Sequence, residues 1–248
     1  MNILNFFNQG QKENKVTETE VPGASCGSNR EANSPSARKV FNLIILDESG
    51  SMQSIYGPAI SGVNETLQTI RNAQNENPDQ RHFVTLVAFD SGHYNEIYHN
   101  IPAVKAVDIT KAQYNPMGMT PLYDAMGRAI NELRTHVNEE GDVVLVTVIT
   151  DGYENCSREY SGAAIRELVE LLRKQNWVFT YIGANQNVEA VASSMSINNH
   201  MAFCADIEGT RIMFEKEKRS RANFFQKLSQ CCEDHLSPGI KEDYFSEI

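Results

Sequence analysis

The sequence predicts an α/β fold: a doubly wound, mostly parallel six-stranded sheet with one antiparallel edge strand and helices on both faces. Three observations predict it. Val40–Leu46 and Val143–Ile149 are near-continuous β-prone runs, as strands buried on both faces of a parallel sheet require. Amphipathic stripes at helical spacing alternate with such runs along the chain. Only His82–Phe89 and Tyr94–Ile101 are joined by a turn (Asp90-Ser91-Gly92) short enough for an antiparallel hairpin.

The elements follow in order. After the first strand, Ile60, Val63, Leu67 and Ile70 recur at helical spacing, and that helix must stop before Pro78. The hairpin comes next, then a helix with Leu122, Ala125, Met126, Ala129, Ile130 and Leu133 on one face. Gly141-Asp142 turns into the Val143 strand. A helix with Ala164, Leu168, Leu171 and Leu172 follows, with Ser161 as its cap. The strand Trp177–Ile182, a short helix over Val188–Met195 and a strand over His200–Cys204 complete the sheet. A final helix, with Phe214, Ala222, Phe225 and Leu228 as its buried stripe, runs to about Cys231. Ligands on such a sheet bind at the carboxyl ends of the strands, near the point where the winding reverses.

The folded domain is therefore expected over residues 39–232. Residues 1–38 read as a disordered tail or linker, since Val16 and Val21 are the only large aliphatics between 8 and 38. Ahead of them, the apolar Met1–Phe7 cluster reads as a docking segment or a frayed terminus. Residues 233–248 carry five acids against one Lys and read as a loose acidic tail.

Composition narrows the function classes. Hydrophobic residues make up 41% and charged residues 22% of the 248, a balance that allows a substantial core. The formal net charge of -10 argues against a nucleic-acid partner, which needs a basic face. It leaves an acidic partner open, because a bound divalent cation can invert the local field. The five cysteines are odd in number and lack C-x-x-C spacing, which suits reduced thiols. No apolar run has the length of a signal h-region or a membrane span, so the expected location is the cytoplasm, with no membrane partner.

Three polar clusters fall just beyond strand or helix ends. Asp47-Glu48-Ser49-Gly50-Ser51-Met52 follows the first strand, Gly118-Met119-Thr120-Pro121-Leu122 precedes the long amphipathic helix, and Thr150-Asp151-Gly152-Tyr153-Glu154-Asn155 follows the fourth strand. In a doubly wound sheet these loops converge on one edge. Two carboxylates and three hydroxyls, from Asp47, Ser49, Ser51, Thr120 and Asp151, then surround one point. Such a set suits Mg²⁺, a small hard cation that takes oxygen ligands and keeps several waters, with Mn²⁺ as the other choice. The donors leave its charge partly unneutralised, so an incoming carboxylate is favoured. Gly50 and Gly152 are expected to give the loops their tight turns.

At these residues the chain resembles the von Willebrand factor A (vWA) family and its metal-ion-dependent adhesion site (MIDAS). The family's D-x-S-G-S-M, G-x-T-x-L and T-D-G-x-E-N elements stand at Asp47–Met52, Gly118–Leu122 and Thr150–Asn155, over a resemblance covering about residues 39 to 231. The wording is closest to small stand-alone bacterial or phage members. The resemblance implies coordination by Ser49 and Ser51, by Thr120 in a ligand-ready state, and by Asp47 and Asp151 directly or through water. It implies a non-enzymatic protein–protein interaction module that binds an Asp or Glu of a partner through the metal. Glu48 and Glu154 stand near the rim, without a ligand role in the family pattern. Tyr153, Glu154 and Tyr160 are the candidate partner-binding residues, the tyrosines because aromatics beside a metal rim make interface anchors.

The competing chemistry is a metal-dependent phosphatase or hydrolase using the same cation as a Lewis acid. A dehalogenase-like phosphatase needs an acid two residues after its nucleophilic Asp, and here that position is Ser49. No phosphate loop, dinucleotide fingerprint or nucleophile elbow is present. His93, Glu96 and His99 are spaced three apart on a predicted strand, which sends neighbours to opposite faces and disfavours a second metal site.

Overall fold

The computed structural model describes residues 37–246, apart from 139 and 232. The tail expected over 1–38 therefore falls, except for its last two residues, outside the described residues. Six strands form one sheet in the order β3-β2-β1-β4-β5-β6. Their ranges are β1 Arg38–Asp47, β2 Gln80–Phe89, β3 Tyr94–Pro102, β4 Val143–Thr150, β5 Trp177–Gly183 and β6 Asn199–Ala202. All pairings are parallel except β2 with β3, as the hairpin turn predicted. The helices are α1 Tyr56–Glu76, α2 Leu122–Arg134, α3 Gly162–Arg173, α4 Val188–Ser194, α5 Ile207–Gln230 and the short α6 Pro238–Glu242. A 3₁₀ turn over Gly50–Ile55 leads into α1.

Alternation along the central strands splits the core in two. Val40, Ile44 and Leu46 of β1 face α1 and α5, whereas Phe41, Leu43 and Ile45 face α2, α3 and α4. In β4, Val143, Leu145 and Ile149 take the first side and Val144, Val146 and Val148 the second. Burial of the central strands on both faces is why they read as unbroken apolar runs. The α1 and α5 axes come close because Gly62 has no side chain. A Cβ there would stand 1.9 Å from the Phe214 ring.

The face toward α5 carries a buried polar band that hydrophobic periodicity did not reveal. Asn42, His82 and Thr147 sit on this side of the sheet, under Arg221 and Glu217 of α5, all nearly sealed from water. The Arg221 guanidinium donates to Glu217 Oε1 at 2.7 Å, to Asn42 Oδ1 at 3.0 Å and to Thr147 Oγ1 at 2.8 Å. Glu217 also accepts from the Thr66 hydroxyl at 3.3 Å and the Tyr244 hydroxyl at 3.0 Å. His82 is held neutral: burial, helped by the Arg221 charge, lowers its pKa to about 3. The predicted α5 stripe is thus corrected. Ala222 is exposed, and Met213, Phe224, Arg221 and Glu217 join the buried face.

Other expectations shift in smaller ways. On α3 the buried positions are Ile165, Val169 and Leu172, while Ala164 and Leu171 point to water, a rotation of about one residue from the predicted stripe. Ser161 caps this helix as expected, accepting from Ala164 N at 3.2 Å. The acidic segment after Glu233 is packed rather than loose. Leu236 and Tyr244 are buried in the α5-side core, Leu236 N donates to Asn176 Oδ1 at 2.9 Å, and Tyr244 N donates to Asn199 Oδ1 at 3.1 Å. Arg38, placed in the tail by sequence, begins β1 and donates to the carbonyls of Leu228, Cys231 and Glu233. On β3, register shifts against β2 bring Glu96 and His99 together at 3.0 Å, while His93 turns to Asp90 at 3.4 Å. The three therefore do not converge.

Two stability outcomes follow. Arg221→Met leaves Glu217 buried without its cation and should cost about 3–5 kcal/mol in urea unfolding. Tyr244→Ala should cost about 3–5 kcal/mol by the same measurement, as a buried aromatic does; a loss under 0.5 kcal/mol, on the order expected of a surface position, would mark the C-terminal segment as loose.

Candidate metal site at the carboxyl edge of the sheet

β1 and β4 are parallel neighbours, so their last residues reach the same edge of the sheet. Asp47 ends β1 and Asp151 follows the last residue of β4. Asp47 Oδ1 accepts from Ser49 N at 2.7 Å and Oδ2 accepts from Thr150 Oγ1 at 2.6 Å, which fixes the carboxylate. Ser51 Oγ donates to Asp151 Oδ1 at 2.5 Å and lies 3.2 Å from Ser49 Oγ. Thr120 enters from the loop before α2. A Cβ placed on Gly152 would stand 3.5 Å from Thr120 Oγ1 and 3.7 Å from Ser51 Oγ, so both hydroxyls lie beside the same glycine. The five predicted oxygen-bearing side chains thus border a common point. Asp47, Ser49, Thr120 and Asp151 are buried there and Ser51 opens to solvent.

The surrounding loops are pinned from below. Tyr114, fully buried, donates its hydroxyl to Asp47 O at 2.8 Å. Thr120 N donates to Asn155 Oδ1 at 2.9 Å and Asn155 N donates to Thr120 O at 3.2 Å, a reciprocal clamp between the second and third loops. Asp124 of α2 accepts from the backbone N–H groups of Arg158, Glu159 and Tyr160, each at 2.8 Å. Sequence reading singled out none of Tyr114, Thr150 or Asp124. Thr150 and Asn155 were legible only as members of the T-D-G-x-E-N string. The tight turn belongs to Gly118, whose φ is +70°, and not to Gly50 or Gly152.

The rim residues differ in what they leave free. Glu48 accepts from Asn115 N, in the loop before Gly118. Glu154 accepts from Tyr123 N at 3.0 Å and from Cys156 N and Ser157 N at 2.9 and 2.7 Å, so its carboxylate braces the start of α2. Tyr160 is half-buried over Gly127, where a Cβ would meet its ring at 2.4 Å, and its hydroxyl accepts from Asn131 at 3.2 Å. Tyr153 alone of the three is exposed, at 53%.

Electrostatics favour a cation. Burial raises Asp47 to about 6, against the opposing hydrogen bonds from Thr150 and Ser49, with the Asp151 charge adding to the rise. Asp151 is raised as well, by burial. Neither carboxylate has a Lys, Arg or His partner among the described residues. No cluster of three His, Cys, Asp or Glu side chains exists among them either, so a cation here depends on hydroxyl oxygens. Two carboxylates and three hydroxyls form a hard-oxygen donor set that suits a Mg²⁺-type ion.

Comparison with known proteins adds the family. The von Willebrand factor type A domain profile matches residues 43–219. Similar solved structures include the pilus adhesin SpaC from Lactobacillus rhamnosus GG, 14% identical with a TM-score of 0.56 over 76% of this chain and 31% of that one. The ArnB paralog VWA2 from Sulfolobus acidocaldarius is 16% identical, with a TM-score of 0.51 over 73% of this chain and 46% of its own. Proximal thread matrix protein 1 from the mussel byssus is 15% identical, with a TM-score of 0.50 over 79% and 47%. The chain spans about a third to half the length of these structures, and the likeness is one of fold. No curated protein matches in sequence.

The raised Asp47 has a measurable sign. Its folded pKa lies above the unfolded value of 3.8, so metal-free protein loses this contribution as pH rises from about 4 through 6. In EDTA, Asp47→Asn should therefore gain stability relative to the wild type between pH 4 and pH 7, by up to about 3 kcal/mol in urea unfolding. A constant difference across that range would show that Asp47 is not raised.

Proposed function

The chain belongs to the von Willebrand factor type A domain family, whose members typically mediate protein–protein interactions and often bind divalent metals, and on that premise we propose that it is a metal-dependent interaction module. In this reading Asp47, Ser49, Ser51, Thr120 and Asp151 hold a Mg²⁺-type cation, with Mn²⁺ as the alternative ion, and the partner protein presents an Asp or Glu carboxylate to it. The observation that carries the reading is the pair of buried carboxylates, both raised by burial, with no cationic side chain beside them among the described residues and three hydroxyls around them.

Each residue has a role that its contacts support. Thr150 and Ser49 N orient Asp47, leaving its oxygens fixed at the edge of the sheet. Ser51 lies at the open side, with Thr120 buried beside it near Gly152. The Asn155 clamp holds Thr120 at a set distance from the Asp151 loop. A bound cation would supply positive charge and a coordination position for the partner's carboxylate. The site would thus present a strongly electropositive point on an acidic chain.

An interaction module fits better than a hydrolase, because no Lys or His makes a contact with Asp47, Asp151, Ser49, Ser51 or Thr120 that could serve as a general base, among the described residues. The motif wording suits a small stand-alone bacterial or phage member. The unpaired thiols of Cys156, Cys204 and Cys231 suit a reducing, cytoplasmic setting. No helix among the described residues is long and apolar enough to cross a membrane.

Calorimetric titration of the full chain with Mg²⁺ should show binding that Asp151→Ala weakens by about 100-fold, since a carboxylate that holds the ion, directly or through water, is lost. Pull-downs in Mg²⁺ should capture proteins that EDTA and Asp151→Ala both release. Steady turnover of phosphoesters by the wild type, abolished in Asp47→Ala, would instead establish the hydrolase.

A further inference from the structure

The apolar residues left in water are not scattered evenly. Eight large hydrophobic side chains are exposed among the described residues, and three of them, Met117, Met119 and Tyr153, belong to the loops that carry Thr120 and Asp151. Their exposures are 45%, 51% and 53%. An exposed methionine on a flapping loop would mean little, but this loop is fixed. Met117 N donates to Glu48 O at 2.8 Å, Gly50 N donates to Gly118 O at 3.2 Å, and Met119 N donates to Ser91 Oγ at 3.0 Å. Gly118 completes the turn with φ +70°, and a Cβ on it would meet Ser91 Oγ at 2.6 Å. The backbone is thus tied on both sides while the two thioether chains between the ties stay in solvent.

The strand order places these residues on opposite flanks. Met119 is tied to Ser91, just past β2, and the Met117 loop to Glu48, just past β1. The Tyr153 hydroxyl accepts from Asn187 N at 3.1 Å, in the loop after β5. Because the order runs β2-β1-β4-β5, the carboxylates at the ends of β1 and β4 lie between the methionines and the tyrosine. On the methionine side the surface falls into two hollows of about 470 and 530 Å³, one bordered by Met119 and the other by Met117, with His93 and Tyr94 lining both.

We propose that the partner is recognised as an acidic residue flanked on both sides by apolar residues, one flank lying on Met117 and Met119 and the other on the ring of Tyr153. The proposal rests on the metal-site reading above and extends it from the partner's carboxylate to the partner's neighbouring side chains. Charge complementarity sets the centre, since the cation calls for an acid. The apolar collar sets the rest: unbranched, polarisable methionine adapts to varied apolar side chains, and an exposed tyrosine with its hydroxyl already engaged offers a rigid face.

The test uses the immobilised full chain and two displayed peptide libraries, one with a central Asp and one with a central Asn, each flanked by three random positions per side. In Mg²⁺ the wild type should retain the Asp library over the Asn library, with apolar residues enriched on both sides of the acid. Met117→Gln with Met119→Gln should lower the enrichment on one flank by about fivefold, on the order of 1 kcal/mol. Tyr153→Ser should lower the other, with Asp selection and its Mg²⁺ dependence retained in both variants. Asp selection without apolar flanks in the wild type, or flanks unchanged in the variants, overturns the collar and leaves the metal reading standing. Equal retention of Asp and Asn, or retention in EDTA, overturns the metal reading and the collar with it.

Discussion

The parallel pairing of β1 with β4 at the centre of the sheet is the constraint on which the rest depends. Both strands are covered on both faces, so their side chains are mostly apolar until the strands end, and the polar groups of this edge gather beyond the last ladder bonds. Chain direction then puts both ends at the same edge. Asp47 and Asp151 are brought side by side by backbone hydrogen bonding, with no attraction between the carboxylates themselves, which repel. The loops answer this repulsion with hydroxyl and amide donors from Ser49, Ser51 and Thr150, and what remains unanswered is the charge. The meeting of these two acids is a consequence of where two buried strands stop.

The opposite requirement holds on the α5 side of the same strands. There Asn42 and Thr147 interrupt the apolar alternation in mid-strand, and Arg221 with Glu217 completes them. This ion pair is satisfied within the protein, with every named partner at ordinary hydrogen-bond distance, whereas the acids at the edge accept hydrogen bonds but have no cationic partner among the described residues. The first set closes on itself, and the second has no cationic side chain beside it among the described residues. Tyr244 couples the C-terminal segment to the closed set through Glu217, which explains why an acid-rich stretch packs.

Much of this was legible in the sequence. The six-stranded, mostly parallel sheet and its antiparallel edge follow from apolar runs and a short turn, and the convergence of the three loops on one edge from polar strings at element ends. The misreadings have physical causes. Periodicity counts a charge as a surface residue, so Arg221 and Glu217 were invisible and Ala222 took a buried place it does not have. On α3 several leucines fit more than one face, and the stripe was set one residue off. Glu154 and Tyr160 looked free because sequence shows proximity to Asp151 but not that one braces α2 and the other rests on Gly127. Asp124 and Tyr114 carry no pattern of their own; their roles exist only through backbone groups more than thirty residues away.

The irregular β3 strand bears on how the protein behaves in concentrated solution. An open sheet has two edges whose unpaired amides and carbonyls can template a further strand from another molecule. Here one edge is β6, only four residues long, and the other is β3, broken by register shifts and carrying Glu96 and His99. Neither edge offers the long flat ladder on which sheets of separate molecules fuse. Self-association through the sheet is thereby discouraged.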